Sequence, residues 1–244
     1  MAVFNGARYL RAQLESILTQ LGEADEVVLV DDGSCDRSLD IAYDFRDQRI
    51  RIHLNSARLG HVQNFAHAIS LARGDIIVLS DQDDRWIAGR LSKFVQSLED
   101  CTGAALIVGD FVELDDDDNL LSTVNNETPL PARVGNTARI IFDIFLGRRK
   151  YYGCCFAFNR KAVPFILPIP AKVEAHDLWI ALVISVVGQI RHLCEPTLLR
   201  RIHEKNLTPP KRRNLLHVAW SRMKYLAALM QLFLARTLAT RQSR

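Results

Sequence analysis

Three carboxylates that directly follow an apolar run constrain this chain more than any other feature. Ile76-Ile77-Val78-Leu79 reads as a buried parallel strand, and Ser80-Asp81-Gln82-Asp83-Asp84-Arg85-Trp86 follows at once. Carboxylates at the C-terminal end of such a strand stand at the mouth of an open α/β sheet, where ligands bind. Crowding them there is unfavourable unless a cation or a donor network compensates. A divalent cation holding a diphosphate is a natural compensation, since Mg²⁺ is often bound by one or two carboxylates plus phosphates.

A second acidic strand end precedes it. Glu26-Val27-Val28-Leu29-Val30 is another buried-strand run, and Asp31-Asp32-Gly33-Ser34 comes next. Gly33 permits a tight turn and Ser34 suits a helix cap. One acidic strand end alone reads as helix capping. Two in one βαβ unit favour an acidic ligand crevice.

Five segments then carry a resemblance. They are Ala2-Val3-Phe4-Asn5-Gly6, Val30-Asp31-Asp32-Gly33-Ser34, the acidic motif at 80–86, His176-Asp177-Leu178-Trp179 and Arg201-Ile202-His203-Glu204-Lys205-Asn206. In this order and spacing the chain resembles a family 2 glycosyltransferase of the GT-A fold, near the rhamnosyltransferase-like branch. The fold expected is α/β: a Rossmann-like nucleotide-binding mixed sheet flanked by helices. Residues 1–206 would form the glycosyltransferase domain, with a nucleotide-sugar half at 1–100 and an acceptor half at 101–206; residues 207–244 would be a basic amphipathic helical tail.

The resemblance implies roles that the residue chemistry suits. Phe4 stacks on a pyrimidine, Asn5 belongs to the donor site, and Asp32 accepts the base N3–H. Asp81 touches ribose or a metal water. Asp83 and His203 hold a divalent metal, Mg²⁺ or Mn²⁺, and Arg201 pairs with the diphosphate through its two-pronged guanidinium. Asp177 is the base for an inverting displacement. His176 and Trp179 line the acceptor pocket, with a core position as the other reading of Trp179. The donor is dTDP-rhamnose or a UDP-sugar. The acceptor is a saccharide or lipid-linked saccharide of a bacterial surface polysaccharide.

Two departures stand out. Relatives carry a hydrophobic strand before the 2–6 segment, whereas Met1 opens this chain, so the first strand is expected to be truncated, the chain less stable and Phe4 less firmly held. Arg200 replaces a tyrosine common in relatives. A truncated, non-catalytic scaffold is therefore the rival reading. A receiver-type domain is disfavoured, because no lone Lys follows an apolar strand.

Composition narrows the rest. A 48% hydrophobic content suffices for one large core. The five cysteines include no C-x₂-C pair, which argues against a zinc ribbon or a disulfide framework and for a reducing cytosol. Residues 200–244 hold eleven Lys or Arg and one acid, leaving 20 bases against 27 acids elsewhere. The helical candidate from Asn214 to Ala239, with Lys211-Arg212-Arg213 before it, suits either an anionic membrane surface, over 211–239, or packing on the domain or on a second subunit. Its longest nearly uncharged stretch is too short to span a bilayer. Asp115-Asp116-Asp117-Asp118-Asn119 reads as a solvated hairpin tip outside the site. Arg148-Arg149-Lys150-Tyr151-Tyr152 lacks any nucleic-acid fold signature around it, so no nucleic-acid partner is expected. Localisation follows as cytoplasmic, peripheral on the membrane if the tail binds lipid.

Overall fold

The structure is a computed structural model, and it describes residues 1–124, 141–144, 151–204, 206 and 220–232. The Pro129–Pro131 loop, the Arg148–Lys150 cluster and Lys211–Arg213 lie outside the described residues.

The two apolar runs before the acidic motifs end up in different sheets. The first is a parallel strand as expected, but the one at 76–78 is only partly buried and pairs antiparallel with residues 156–159, which corrects the expected parallel strand and single βαβ unit. β2 (Val27–Asp31) is buried throughout and lies between β1 (Ala2–Val3) and β3 (Ile50–Leu54) in a three-stranded parallel sheet. β1 has only two residues, but its ladder runs to the chain start: the Met1 amine donates to Val28 O and Val30 N to Met1 O. The helices α1 (Leu10–Leu18) and α2 (Ser38–Asp44) connect these strands and α3 (His61–Leu71) leads on from β3 to the second sheet, with Leu10, Leu14 and Ile17 or Val62, Phe65 and Ile69 turned inward at helical spacing.

A second, mixed sheet carries the acidic motif. Its order is β4 (Ile76–Val78), β8 (Phe156–Asn159), β6 (Ala105–Leu114), β9 (Gln189–Arg201) and β5 (Arg85–Trp86), with β7 (Leu120–Val124) paired to the far end of β6. β6 runs parallel to β9 and antiparallel to β7 and β8. Helix α4 (Arg90–Glu99) packs Phe94 and Leu98 against β6 and β8. The short α5 (Val163–Ile166) precedes α6 (His176–Val187). Between β2 and β4, a cavity of about 520 Å³ has an apolar wall of Ile17, Val28, Phe65, Ile69, Ile77 and Leu79 and a polar one with Glu26, Arg73 and Asp75.

β9 escapes a reading by pattern because Pro196 and five charged or histidine side chains interrupt it. Its register against β6 shifts between Gly109 and Asp110, where Leu193 gives way to Pro196 as the partner. The turn from α6 into β9 depends on Gly188, where a side chain would run into the Ala104 carbonyl. Gly188→Ala is therefore expected to cost about 1–3 kcal/mol of stability, read from the midpoint of urea unfolding.

The C-terminal helix at residues 220–232 packs on the domain. Tyr225, Ala228 and Leu229 are buried, and Tyr225 Oη accepts from Ala175 N while Lys224 pairs with Glu174. Trp220, Met223, Leu226 and Met230 stay exposed. No helix among the described residues is long and apolar enough to cross a membrane.

Candidate functional site

The ends of β1, β2 and β4 meet, and side-chain bonds tie them together. Gln82 clasps Phe4: Phe4 N donates to Oε1 at 2.8 Å and Nε2 donates to Phe4 O at 3.1 Å. Gly6 leaves the space Gln82 needs, since a Cβ there would lie 2.5 Å from Oε1. From α1, Gln13 Nε2 donates to Ser80 Oγ and Asp81 O at 2.8 and 2.9 Å. Asn5 sits at φ 51°, a conformation Asn tolerates, and its Oδ1 accepts from Cys35 N. Gln82 and Gln13 were not picked out from the sequence, because their contacts bridge segments about seventy residues apart.

The β2 carboxylates are both buried but differ in their duties. Asp31 Oδ1 accepts from Gly33 N and Ser34 N, closing the turn, while Oδ2 has no partner among the described residues. Asp32 receives Asn55 Nδ2 at 2.9 Å, Leu59 N at 2.7 Å and Gly60 N at 2.8 Å, so it organises the entrance to α3. Three of about four carboxylate lone-pair positions are thereby filled. That loop also lays the Arg58 guanidinium over the Phe4 ring, 3.9 Å from its centre. Arg58 is a residue sequence reasoning missed.

The acidic motif gathers contacts from distant parts of the chain. Asp83 Oδ2 lies 2.9 Å from His203 Nε2, across 120 residues. Asp84 is buried; Oδ1 accepts from Arg201 N, and Oδ2 has no partner among the described residues. Ligand atoms of Asp81, Asp84 and Cys154 all lie within 4.8 Å of one another. Burial, reinforced by Asp83, pushes the Asp81 carboxyl up to about 7, and Asp84 rises for the same reasons. Gly153 lies against the His176 ring, and the next residue, Cys154, belongs to the close group with Asp81 and Asp84, so the start of α6 is linked to the acidic motif through this turn.

Asp177 itself is half-buried and accepts from Leu178 N at 2.6 Å. Burial raises its carboxyl to about 6, against the lowering effect of the backbone amides. Its neighbours in the motif face inward. The His176 ring stacks on Phe65 at 4.1 Å, with Nε2 pressed against Gly153, and burial holds it neutral, down to about 3. Neither ring nitrogen has a partner among the described residues. Trp179 is fully buried and donates Nε1–H to Ile166 O at 2.9 Å. This corrects its expected place in the acceptor pocket: α6 is apolar on nearly every face, and the indole belongs to the core.

The acidic hairpin tip also differs from expectation. It is a hairpin turn, but Asp116 and Asp118 are not simply solvated: Asp116 pairs with Arg8 and accepts from Tyr9 Oη, and Asp118 pairs with Arg85 and Arg201. Tyr9 stacks on His203 at 5.2 Å.

This geometry can hold a cation, since buried carboxylate oxygens are crowded and one of them is unpartnered. The unpartnered oxygen of the acidic motif is Asp84 Oδ2, in the close group with Asp81 and Cys154, and the expected ligands Asp83 and His203 meet each other next to that group.

The family model described as "Glycosyl transferase family 2" matches residues 1–166. "Glycosyltransferase GlyG" of Streptococcus pneumoniae is 30% identical over 118 residues, 48% of this chain and 39% of that protein. The Escherichia coli protein "UDP-Glc:alpha-D-GlcNAc-diphosphoundecaprenol beta-1,3-glucosyltransferase WfaP" is 29% identical over 99 residues, 41% of this chain and 39% of that one. This chain spans less than two thirds of the length of the curated relatives it first matches, from 25% to 63%. Among solved structures, S. aureus TarS 1-349 in complex with UDP-GlcNAc superposes with a TM-score of 0.70 at 15% identity, over 96% of this chain and 71% of that one. The mannosyltransferase PcManGT from Pyrobaculum calidifontis, in complex with GDP-Man and Mn²⁺, gives 0.60 at 18% identity, over 98% and 73%. These likenesses show the shared GT-A fold.

Proposed function

The chain belongs to glycosyl transferase family 2, and from that membership we propose that it moves a sugar from a nucleoside-diphosphate sugar to a saccharide acceptor at the β4 strand end. One observation carries this reading: Asp83 meets His203 across 120 residues beside Asp81, and the start of α6, which bears Asp177, is linked to the motif through Gly153 and Cys154.

The donor half is residues 1–100. Phe4, freed from Arg58, stacks on the base, and the remaining lone pair of Asp32 meets its N–H. Asn5 shapes that slot, and Asp81 faces the ribose. Asp83 and His203 would hold Mg²⁺ or Mn²⁺, which as a Lewis acid would offset the charge developing on the diphosphate. Arg201 adds a fixed positive charge. PcManGT, crystallised with GDP-Man and Mn²⁺, supports a metal at such a site.

Asp177 takes the proton of the acceptor hydroxyl as that oxygen attacks the anomeric carbon and the bond to the diphosphate breaks. A single in-line displacement of this kind inverts the anomeric centre. His176, behind Asp177, fixes the floor of the acceptor side rather than contacting sugar through a free nitrogen.

A uridine-linked donor comes first, supported by the UDP-Glc of the WfaP name and the UDP-GlcNAc bound in TarS; dTDP-rhamnose is the second donor to assay. A lipid-linked saccharide of a bacterial surface polysaccharide is the acceptor class. The exposed Trp220, Met223, Leu226 and Met230 face would bring the protein to an anionic membrane where such acceptors reside. The test is nucleotide release from UDP-glucose, UDP-GlcNAc and dTDP-rhamnose with a diphosphate-linked saccharide, followed by NMR of the new anomeric centre. Retention of configuration would contradict the displacement.

The pH profile has a defined sign. Asp177 must be ionised to accept a proton, and its carboxyl sits at about 6. Transfer should therefore fall about tenfold per unit as the pH drops below that value. A profile flat through pH 5 would remove Asp177 from the role of base.

A further inference from the structure

The acidic hairpin tip meets cations from three distant segments. Arg8 Nη1 lies 3.3 Å from Asp116 Oδ2, and Tyr9 Oη donates to Asp116 Oδ1 at 2.5 Å. Arg85 Nη1 lies 2.9 Å from Asp118 Oδ2, and Arg201 reaches Asp118 Oδ1 and the Asp115 carbonyl at 2.5 and 2.8 Å. The Arg201 side chain is 6% exposed while that of Asp118 is 50% exposed, so the guanidinium is part of the wall and the carboxylate comes from the solvent side.

The turn does not need these two carboxylates. Asp115 closes it alone, accepting from Asp117 N at 2.9 Å, Asn119 N at 2.8 Å and Asn119 Nδ2 at 3.0 Å. Asp116 and Asp118 are thus spare anions delivered to a cationic surface. That surface is continuous with the site: the Arg201 guanidinium lies 4.9 Å from the Tyr9 ring centre, Tyr9 stacks on His203, and His203 touches Asp83.

We infer that Arg8, Tyr9, Arg85 and Arg201 form a diphosphate pocket, and that Asp116 and Asp118 occupy it as the chain's own stand-ins for phosphate oxygens. This rests on the donor-site reading above and adds a competitor to it. The Arg8–Asp116 and Arg85–Asp118 pairs are solvent-exposed on both sides, and such pairs are weak and readily exchanged. A diphosphate brings more charge and two oxygens to each guanidinium fork, so it displaces the carboxylates when the donor enters. The hairpin then tunes donor affinity, because its acidity opposes binding.

The experiment is calorimetric titration of UDP, dTDP and GDP with Mn²⁺ into wild type, the double variant Asp116→Asn/Asp118→Asn, and Asp117→Asn. The amides keep the turn and remove the competing charge; Asp117→Asn removes one charge of the same tip without altering either contact. The double variant should bind the preferred nucleotide on the order of tenfold more tightly, with Asp117→Asn within about twofold of wild type. Equal or weaker binding by the double variant, or the same tightening in Asp117→Asn, overturns the inference and leaves the donor site standing. Failure of all three nucleotides to bind any of the proteins overturns the donor site, and the pocket with it.

Discussion

Replacing Asp177 by Asn should lower sugar transfer by about a thousandfold while nucleotide binding stays as it was. Asn keeps the shape of the side chain and an oxygen that can still accept from Leu178 N, the bond that settles Asp177 at the start of α6. What it loses is basicity. The helix behind it is anchored by Trp179, Ile180 and Val183, all fully buried, so the variant should fold normally. Binding without turnover would therefore isolate proton transfer. A variant that transfers at close to the wild-type rate would mean that another group accepts the proton, and the inverting scheme would have to be rebuilt around it.

Asp83→Ala should abolish the part of nucleotide affinity that depends on a divalent cation. Removal of an outer-shell partner already costs about 10–100-fold in metal affinity, so loss of a direct ligand should exceed a hundredfold. Asp83 Oδ2 faces His203 Nε2, and both side chains are mostly shielded from water, at 16% and 9% exposure. Without the carboxylate, His203 keeps its stacking on Tyr9 but loses its charged neighbour. The acidic motif would relax too, since Asp83 is one of the charges that push Asp81 and Asp84 upward. Melting temperature should hold or rise slightly. If cation-dependent binding survived in Asp83→Ala, the ligand would have to be sought in the Asp81, Asp84 and Cys154 cluster instead.

Local pattern was enough to read the parts of the fold where burial is local. β2 and β4 are short apolar runs, α1 and α3 have helical periodicity, and the two acidic strand ends stand out because they follow such runs directly. Long-range pairing was not legible. β5 is two residues within the acidic motif that pair with Leu198 and Leu199, and nothing near Arg85 announces a partner more than a hundred residues away. The hairpin tip was read correctly as a turn, through the backbone-bonding habit of Asp and Asn. Its ion pairs were missed because Arg8, Arg85 and Arg201 come to it only through the folded sheet. Trp179 was ambiguous for a different reason: with apolar residues all round α6, no face is marked as outward.

The claim at the centre of this account is that the carboxylates at the end of β4 grip a nucleoside diphosphate together with a divalent cation. Calorimetric titration of wild-type protein with UDP, dTDP and GDP, each with and without Mn²⁺, tests it most directly. The account predicts saturable binding of one nucleotide, UDP first, that requires Mn²⁺. A folded protein that binds none of the three with Mn²⁺ present would contradict it.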